Sequence, residues 1–380
     1  METQGRGWLR PVEIAPVTED QDRVITAICP GLGQKVEAEG RQNPVLWGPY
    51  VSVQTGWATD PEVRHAGSSG GALSMLLIHL LEEKLVDAVV QTAASPVLAI
   101  GNATVLSTTT DQVVAAAGSR YAPSAPLEDL SHLLADGRRF AFVGKPCDAV
   151  ALRALIAIDP RYGHAFPVIL SFFCAGVPSH TGGTEVLRAL GTTLDQTERF
   201  RFRGNGWPGR ATAVLKDGSE RSMSYNDSWG RVLSRHLQHR CKVCADGTGI
   251  AADLVCADAW ESDEAGYPVF EEAEGSSLIM ARTAWGAKIL AEAEARSRLQ
   301  TAPFNLDDLV AIQPGQRERR RALLVRLAAL WLLGRPIPRY SGLQIWRASR
   351  QNSLRKNARN FVGMLRRTLF GKTVSSTFKK

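Results

Sequence analysis

The chain has 380 residues, 44% of them hydrophobic, which is ample length for two domains and an ordinary composition for a globular protein. No N-terminal stretch joins a basic start to an apolar run, and the longest apolar stretch, Ala322 to Gly334, is interrupted by Arg326 and too short to span a bilayer; both features read against a leader or a membrane span and place the chain in the cytoplasm. The net charge of +7 is uneven: residues 317–380 carry 17 Lys or Arg against one acidic residue, whereas the other 316 carry 28 basic and 37 acidic groups, so the basic character belongs to the tail and points to an anionic membrane surface or a nucleic acid.

Residues 1–45 are rich in turn formers and show little periodicity, which predicts an irregular N-terminal extension. A Gly/Ser cluster from Gly67 leads into Ala72–Glu83, where Leu73, Leu76, Leu77, Leu80 and Leu81 fall at helical spacing. A strand is predicted over Val86–Thr92, a helix over Leu127–Asp136 ended by Gly137, and a buried strand over Phe140–Val143. Cys147 opens the next helix, through Ile156, and Pro167–Phe173 reads as a second buried strand ending at Cys174. Thr184–Leu190 is helical with Gly191 as its stop. Strands alternating with helices predict an α/β fold with a mixed, largely parallel sheet and flanking helices. Ala211–Leu215 and Arg221–Tyr225 flank Asp217-Gly218, a hairpin signal. Leu278–Ala281 could be one more strand before a helix over Ala284–Ala295, and Pro314-Gly315 marks the junction to a basic helical C-terminal tail. The boundaries drawn from this pass are 1–45, 46–125, 126–315 and 316–380.

The chemistry concentrates at cysteines. Cys147 and Cys174 each lie just past a buried strand, at the edge where ligands bind in open parallel sheets, and helix N-termini there favour the thiolate that binds metal. Arg240-Cys241-Lys242-Val243-Cys244 supplies a CxxC pair that can close over the same edge. Four thiolates suit zinc or an iron–sulfur cluster; two isolated strand-end cysteines, unlike the paired knuckles of structural zinc, favour the cluster. Cys256 reads as a small core residue, and Cys29 in Cys29-Pro30-Gly31 has no assigned role.

Arg64-His65-Ala66-Gly67-Ser68-Ser69-Gly70-Gly71 opens a helix, and successive N–H groups at such a start make an anion site; the absence of side chains at Gly70 and Gly71 would let a bulky cofactor approach, and a plain capped turn gives the same letters. Arg203-Gly204-Asn205-Gly206-Trp207-Pro208-Gly209 can hold an aromatic ligand against Trp207, or be a tight turn with a surface tryptophan. Lys145 would bring positive charge to a flavin or an anionic substrate. In the tail, leucines at 323, 324, 327, 330 and 333 with arginines at 319, 320, 321 and 326 make a helix that packs on the body or lies on an anionic membrane. The basic residues lack an interleaved aromatic platform, which argues against nucleic acid.

Taken in order, these motifs resemble the coenzyme F420 hydrogenase/dehydrogenase beta-subunit family from about Cys29 to Ala295, with Ala252-Asp253-Leu254 and Asp258-Ala259-Trp260 completing the set. The resemblance implies a cytoplasmic FAD flavoprotein with a 4Fe–4S cluster, moving electrons between the cluster and flavin and then hydride to coenzyme F420 or another small acceptor. By motif it implies Cys147, Cys174, Cys241 and Cys244 as cluster ligands, the FAD site at Arg64, Ser68, Ser69, Gly70, Gly71, Lys145 and Asn205, a small-molecule redox substrate and an electron-donor protein. Residues 1–28 contain no cysteine, so the ferredoxin-like clusters of many members are absent, and Cys29 becomes structural. Lys145 and Asp148 stand where other members often carry Thr and Gln. The last 65 residues or so are similar to bacterial members associated with polysaccharide biosynthesis. A different class of reading keeps the thiols on structural zinc and makes the chain a membrane-surface or assembly protein of glycan synthesis.

Overall fold

A computed structural model describes residues 1–5, 7–260 and 271–370. Its centre is an eight-stranded sheet: β1 (Ser52–Ala58), β2 (Ala88–Ala94), β3 (Asn102–Ser107), β4 (Phe140–Gly144), β5 (Val168–Phe172), β6 (Leu254–Asp258), β7 (Ser277–Ala281) and β8 (Leu299–Pro303), in the spatial order β8-β1-β7-β6-β5-β4-β2-β3. The strands β2, β4, β5 and β6 run parallel, with Val90 beside Phe142, Phe142 beside Ile169 and Leu170 beside Leu254. The remaining pairings are antiparallel.

The expected parallel majority is therefore corrected to three pairings of seven. Helices lie between most consecutive strands, but none separates β2 from β3, which pair directly as an antiparallel hairpin. No helix lies between β6 and β7 among the described residues to carry the chain back across the sheet, so β7 returns antiparallel. Strand β1, from the N-terminal part, then wedges between β7 and β8.

Alternation along the central strands feeds two cores. Val89, Ala141, Val143, Leu170, Leu254 and Ile279 face helices α2 (Ala72–Glu82) and α5 (Ala284–Ala295), while Val90, Phe140, Phe142, Ile169 and Val255 face α3 (Pro146–Ile158). A three-stranded antiparallel sheet, Thr197–Arg201, Arg210–Leu215 and Glu220–Ser224, packs on α4 (His180–Ala189).

The N-terminal extension contains a helix, α1 (Glu19–Ile28), that periodicity does not reveal because it buries no residue; a capping box between Thr18 and Gln21 starts it. The basic tail is helical as expected, with α6 (Pro314–Leu332), α7 (Ile345–Arg350) and α8 (Leu354–Phe370), and residues 371–380 lie outside the described part. Helix α6 is packed on the body: Leu323, Leu327 and Leu330 share a core with Val243, Ala245, Ile250 and Met364. Among the described residues, no helix is long and apolar enough to cross a membrane.

Candidate functional site

The parallel strands β2, β4, β5 and β6 deliver their C-terminal ends to one edge, and a cavity of about 290 Å³ opens there, close to the lower bound of about 300 Å³ for pockets that hold small ligands. Ser68, Ser69, Gly71 and the first turn of α2 form one wall, Lys145 a second, and Phe172 to Pro178 a third. Ala72, Leu73 and Ser74, the first residues of that helix, line the cavity, and a helix start without a side-chain cap favours an anion. The Ser68 Oγ accepts a hydrogen bond from Ser119 N, and the Ser69 hydroxyl lies 2.9 Å from Ser276 O and 3.2 Å from Ala257 O.

Lys145 is nearly buried, with its Nζ 2.7 Å from Asp148 Oδ2 and 2.7 Å from Ser124 Oγ. Burial pulls its pKa down, but Asp148 and the neighbouring Cys147 and Cys174 more than offset this, and the ammonium is held above its ordinary range. A second cation faces the cavity. Arg120 donates to Gly101 O (2.6 Å), Asn102 Oδ1 (3.0 Å) and Phe200 O (3.2 Å), and among the described residues no carboxylate pairs with it. Burial pulls its pKa down to about 10.

The four expected ligand cysteines are half-buried and free of disulfides. Cys174 lines the cavity; Cys147, Cys241 and Cys244 lie outside its lining. The set shares one electrostatic environment: Cys174 is raised by Cys241 and Cys244, and Cys147 by Cys244. Burial is the largest cause in each case, pushing Cys174 up to about 12 and Cys147 further. Val177 N donates to Cys241 Sγ at 3.4 Å, the Cys244 thiol donates to Asp246 O at 3.1 Å, and Arg240 bonds Cys147. Among the described residues no three His, Cys, Asp or Glu side chains close on a point where a single ion would sit. The donor set nonetheless fits an iron–sulfur group: four thiols on three segments, ringed by Arg240, Arg319 and Lys145, whose charge complements thiolate. Cys256 is buried in the core as expected, and Cys29 lies near Arg240.

Three expected cofactor residues lie off the cavity wall. Arg64 stacks on Trp57 at 4.6 Å and pairs with Glu274 at 2.9 Å. Asn205 sits in a left-handed conformation, in a loop tied to His65 O through Gly206 N. Gly70 and Gly71 are both left-handed (φ of 70° and 69°), and a Cβ would strike Ser276 at the first and Val63 at the second. Their missing side chains let the chain pack on itself, which differs from the expected room for a cofactor. Trp207 is likewise buried against Trp260, at 4.3 Å between ring centres, and is neither a ligand platform nor a surface residue.

The feature that sequence spacing missed is a buried cation in an aromatic cage. Arg203, 2% exposed, lies 4.7 Å from the Tyr225 ring and 5.1 Å from both Trp207 and Trp260, and its two Nη atoms each lie 2.9 Å from an oxygen of Asp258. Burial lowers its pKa, but Asp258 outweighs that and holds the guanidinium firmly charged. Arg203, Tyr225, Asp258 and Trp260 all line the cavity. They come from three separate stretches of sequence, so no spacing announces them.

Two family models match the chain: the coenzyme F420 hydrogenase/dehydrogenase beta subunit N-terminal region over residues 53–131, and its C-terminal region over 137–306. The coenzyme F420 hydrogenase subunit beta of Methanococcus voltae is 26% identical over 274 residues, covering 71% of this chain and 88% of the relative. The F420-dependent formate dehydrogenase subunit beta of Methanocaldococcus jannaschii is 22% identical over 305 residues, covering 78% and 72%. A chain of the F420-reducing NiFe hydrogenase complex of Methanosarcina barkeri has a similar fold, with a TM-score of 0.56 at 18% identity, covering 79% of this chain and 94% of that one.

Proposed function

Because the chain belongs to the coenzyme F420 hydrogenase/dehydrogenase beta-subunit family, we propose that it is an iron–sulfur flavoprotein oxidoreductase acting on coenzyme F420 or another small acceptor. The observation that carries this reading is that Ser68, Gly71, Lys145 and Cys174 share the walls of one cavity. The flavin-side and thiol-side motifs are far apart in sequence and meet at one place. FAD bound there would exchange hydride, and a 4Fe–4S cluster on Cys147, Cys174, Cys241 and Cys244 would exchange single electrons.

The chain's own residues supply binding and electrostatics. The start of α2 offers backbone donors to a phosphate, and Arg120 offers a guanidinium with no carboxylate partner among the described residues. The Arg203–Asp258 pair, with Tyr225 and Trp260, gives one wall an ion-paired, aromatic surface. Phe172, Phe173 and Trp260 add aromatic surface to the cavity wall. An electron-donor protein fits the family, since the Methanosarcina barkeri chain comes from a hydrogenase complex. The expected membrane-binding tail narrows to α8. Its outer face carries exposed Arg355, Lys356, Arg359 and Arg366 with exposed Leu354, Val362 and Leu369, a mixture suited to an anionic membrane surface. A role in polysaccharide synthesis has no residue of this site to carry it.

Iron, sulfide, zinc and flavin analysis of one anaerobic preparation tests the proposal. Four irons, matching sulfide and one releasable FAD per chain are expected. A colourless, zinc-loaded, flavin-free protein would overturn it and favour the zinc-stabilised assembly protein.

A further inference from the structure

The family models end at residue 306, and α6 begins eight residues later. Four of its polar side chains turn inward. Gln316 Nε2 donates to Cys174 O at 3.1 Å, and Arg319 donates to Cys174 O at 2.8 Å and to Ala175 O. Arg320 donates to Ala245 O, and Arg326 to Lys242 O at 3.1 Å. Beyond the helix, the Tyr340 hydroxyl donates to Val243 O at 2.8 Å. Residues 316, 319, 320, 323, 326 and 327 lie on one helical face, so a single face of α6 grips the loop of Cys174 and the loop of Cys241 and Cys244.

Every acceptor in this set is a backbone carbonyl of a thiol-bearing loop. The two loops are also joined directly, by Cys174 N to Gly247 O at 2.9 Å. At Gly247 a Cβ would collide with Gln316 Oε1 and crowd Arg319 Nη1, which explains the glycine in a backbone conformation open to any residue. Gln316 and Arg320 are almost fully buried, and buried donors of this kind hold their partners tightly because an unmade bond leaves them desolvated.

The charges follow the same plan. Arg319 and Arg320 join Arg240 and Lys145 near the thiols, against the carboxylates of Asp148 and Asp246. A buried excess of positive charge is costly beside neutral thiols and is complemented by thiolates holding a cluster.

We propose that residues 314–343 form a clasp that closes the thiol site and supplies positive charge to it, with Arg319 as the principal positioning residue. The charge part rests on the cluster reading above; the closure part does not. Two readouts on the full chain separate them. In metal-free, reduced protein, Arg319→Leu should speed alkylation of Cys174 at least about tenfold, the change that about 1.4 kcal/mol of lost hydrogen bonding produces. Arg319→Lys, which keeps the charge but cannot span both carbonyls, should give an intermediate rate, and Gly247→Ala, which displaces Gln316, a smaller rise. In the anaerobically loaded protein, the cluster midpoint potential should fall in Arg319→Leu and stay near the native value in Arg319→Lys, because removing a nearby positive charge disfavours the reduced cluster. Unchanged alkylation in all three variants would overturn the closure, and equal potentials in the Leu and Lys variants would overturn the charge role. A native protein without iron would sink the cluster reading while leaving the alkylation result standing. Should Arg319→Leu fail to fold, Arg319→Lys and Gly247→Ala still decide the closure.

Discussion

The Arg203–Asp258 pair offers a sharp test of how the cavity wall is held. Replacing Asp258 by Asn keeps the shape and removes the counter-charge from a guanidinium that is 2% exposed. Breaking one side of a buried pair costs about 3–5 kcal/mol. Three ring faces at 4.7 to 5.1 Å, each worth about 0.5–2 kcal/mol to a desolvated cation, keep part of that stabilisation, as does Pro208 O, which accepts from Nε at 2.5 Å. The expected loss is therefore at the low end, about 3 kcal/mol. Arg203→Met should cost about 2–3 kcal/mol, because Asp258, whose side chain is 21% exposed, regains some water while the ring contacts vanish. The double variant then has neither charge to strand, and the two losses should fall short of additivity by about 2 kcal/mol or more. Urea unfolding of the cofactor-free chain, followed by tryptophan fluorescence, measures all three, with Trp207 and Trp260 as reporters inside the cage. Additivity within about 0.5 kcal/mol would refute a charged, coupled pair.

Two further outcomes follow from the same fold. Burial pushes the Cys256 thiol from its ordinary 9.0 up to about 12, so above pH 9 the unfolded chain ionises there while the folded chain does not, and stability is lost as pH rises, by about 1.4 kcal/mol at pH 10; Cys256→Ala should cost about 1 kcal/mol at pH 7 and close the gap to the native protein at pH 10, and a gap of equal size at both pH values would contradict the burial argument. The triple change Arg355→Glu, Lys356→Glu and Arg359→Glu should abolish co-sedimentation of the full chain with phosphatidylglycerol vesicles at low salt, and undiminished co-sedimentation would remove α8 as the membrane-facing element.

What was legible in the sequence divides along physical lines. Helix α2 and strands β4 and β5 stand out because burial forces helical spacing or continuous apolar runs on them. Strand β1 does not: Val53 to Trp57 mixes polar and apolar residues, and only β7 and β8 on either side make it a strand. The thiol positions were readable because strand ends and a CxxC spacing mark them locally. The wall opposite them was not, since Arg203 and Asp258 lie 55 residues apart and a salt bridge leaves no periodicity. The arginines of α6 were legible only as part of a helix that packs on the body or lies on an anionic membrane, for a similar reason: nothing in Arg319-Arg320-Arg321 says that the first two end on carbonyls.

The order in which the chain is made gives the clasp a temporal meaning. Synthesis runs from the N-terminus, so Cys147, Cys174, Cys241 and Cys244 all leave the ribosome before Gln316, Arg319 and Tyr340 exist. The sheet that brings the strand-end thiols to one edge can assemble by β8, at Pro303. A nascent chain thus passes through a stage in which its four thiols are gathered and uncovered, and a segment made later, residues 314–343, is the one that shuts them in. On the proposed cluster reading, loading the site would be easiest in that interval.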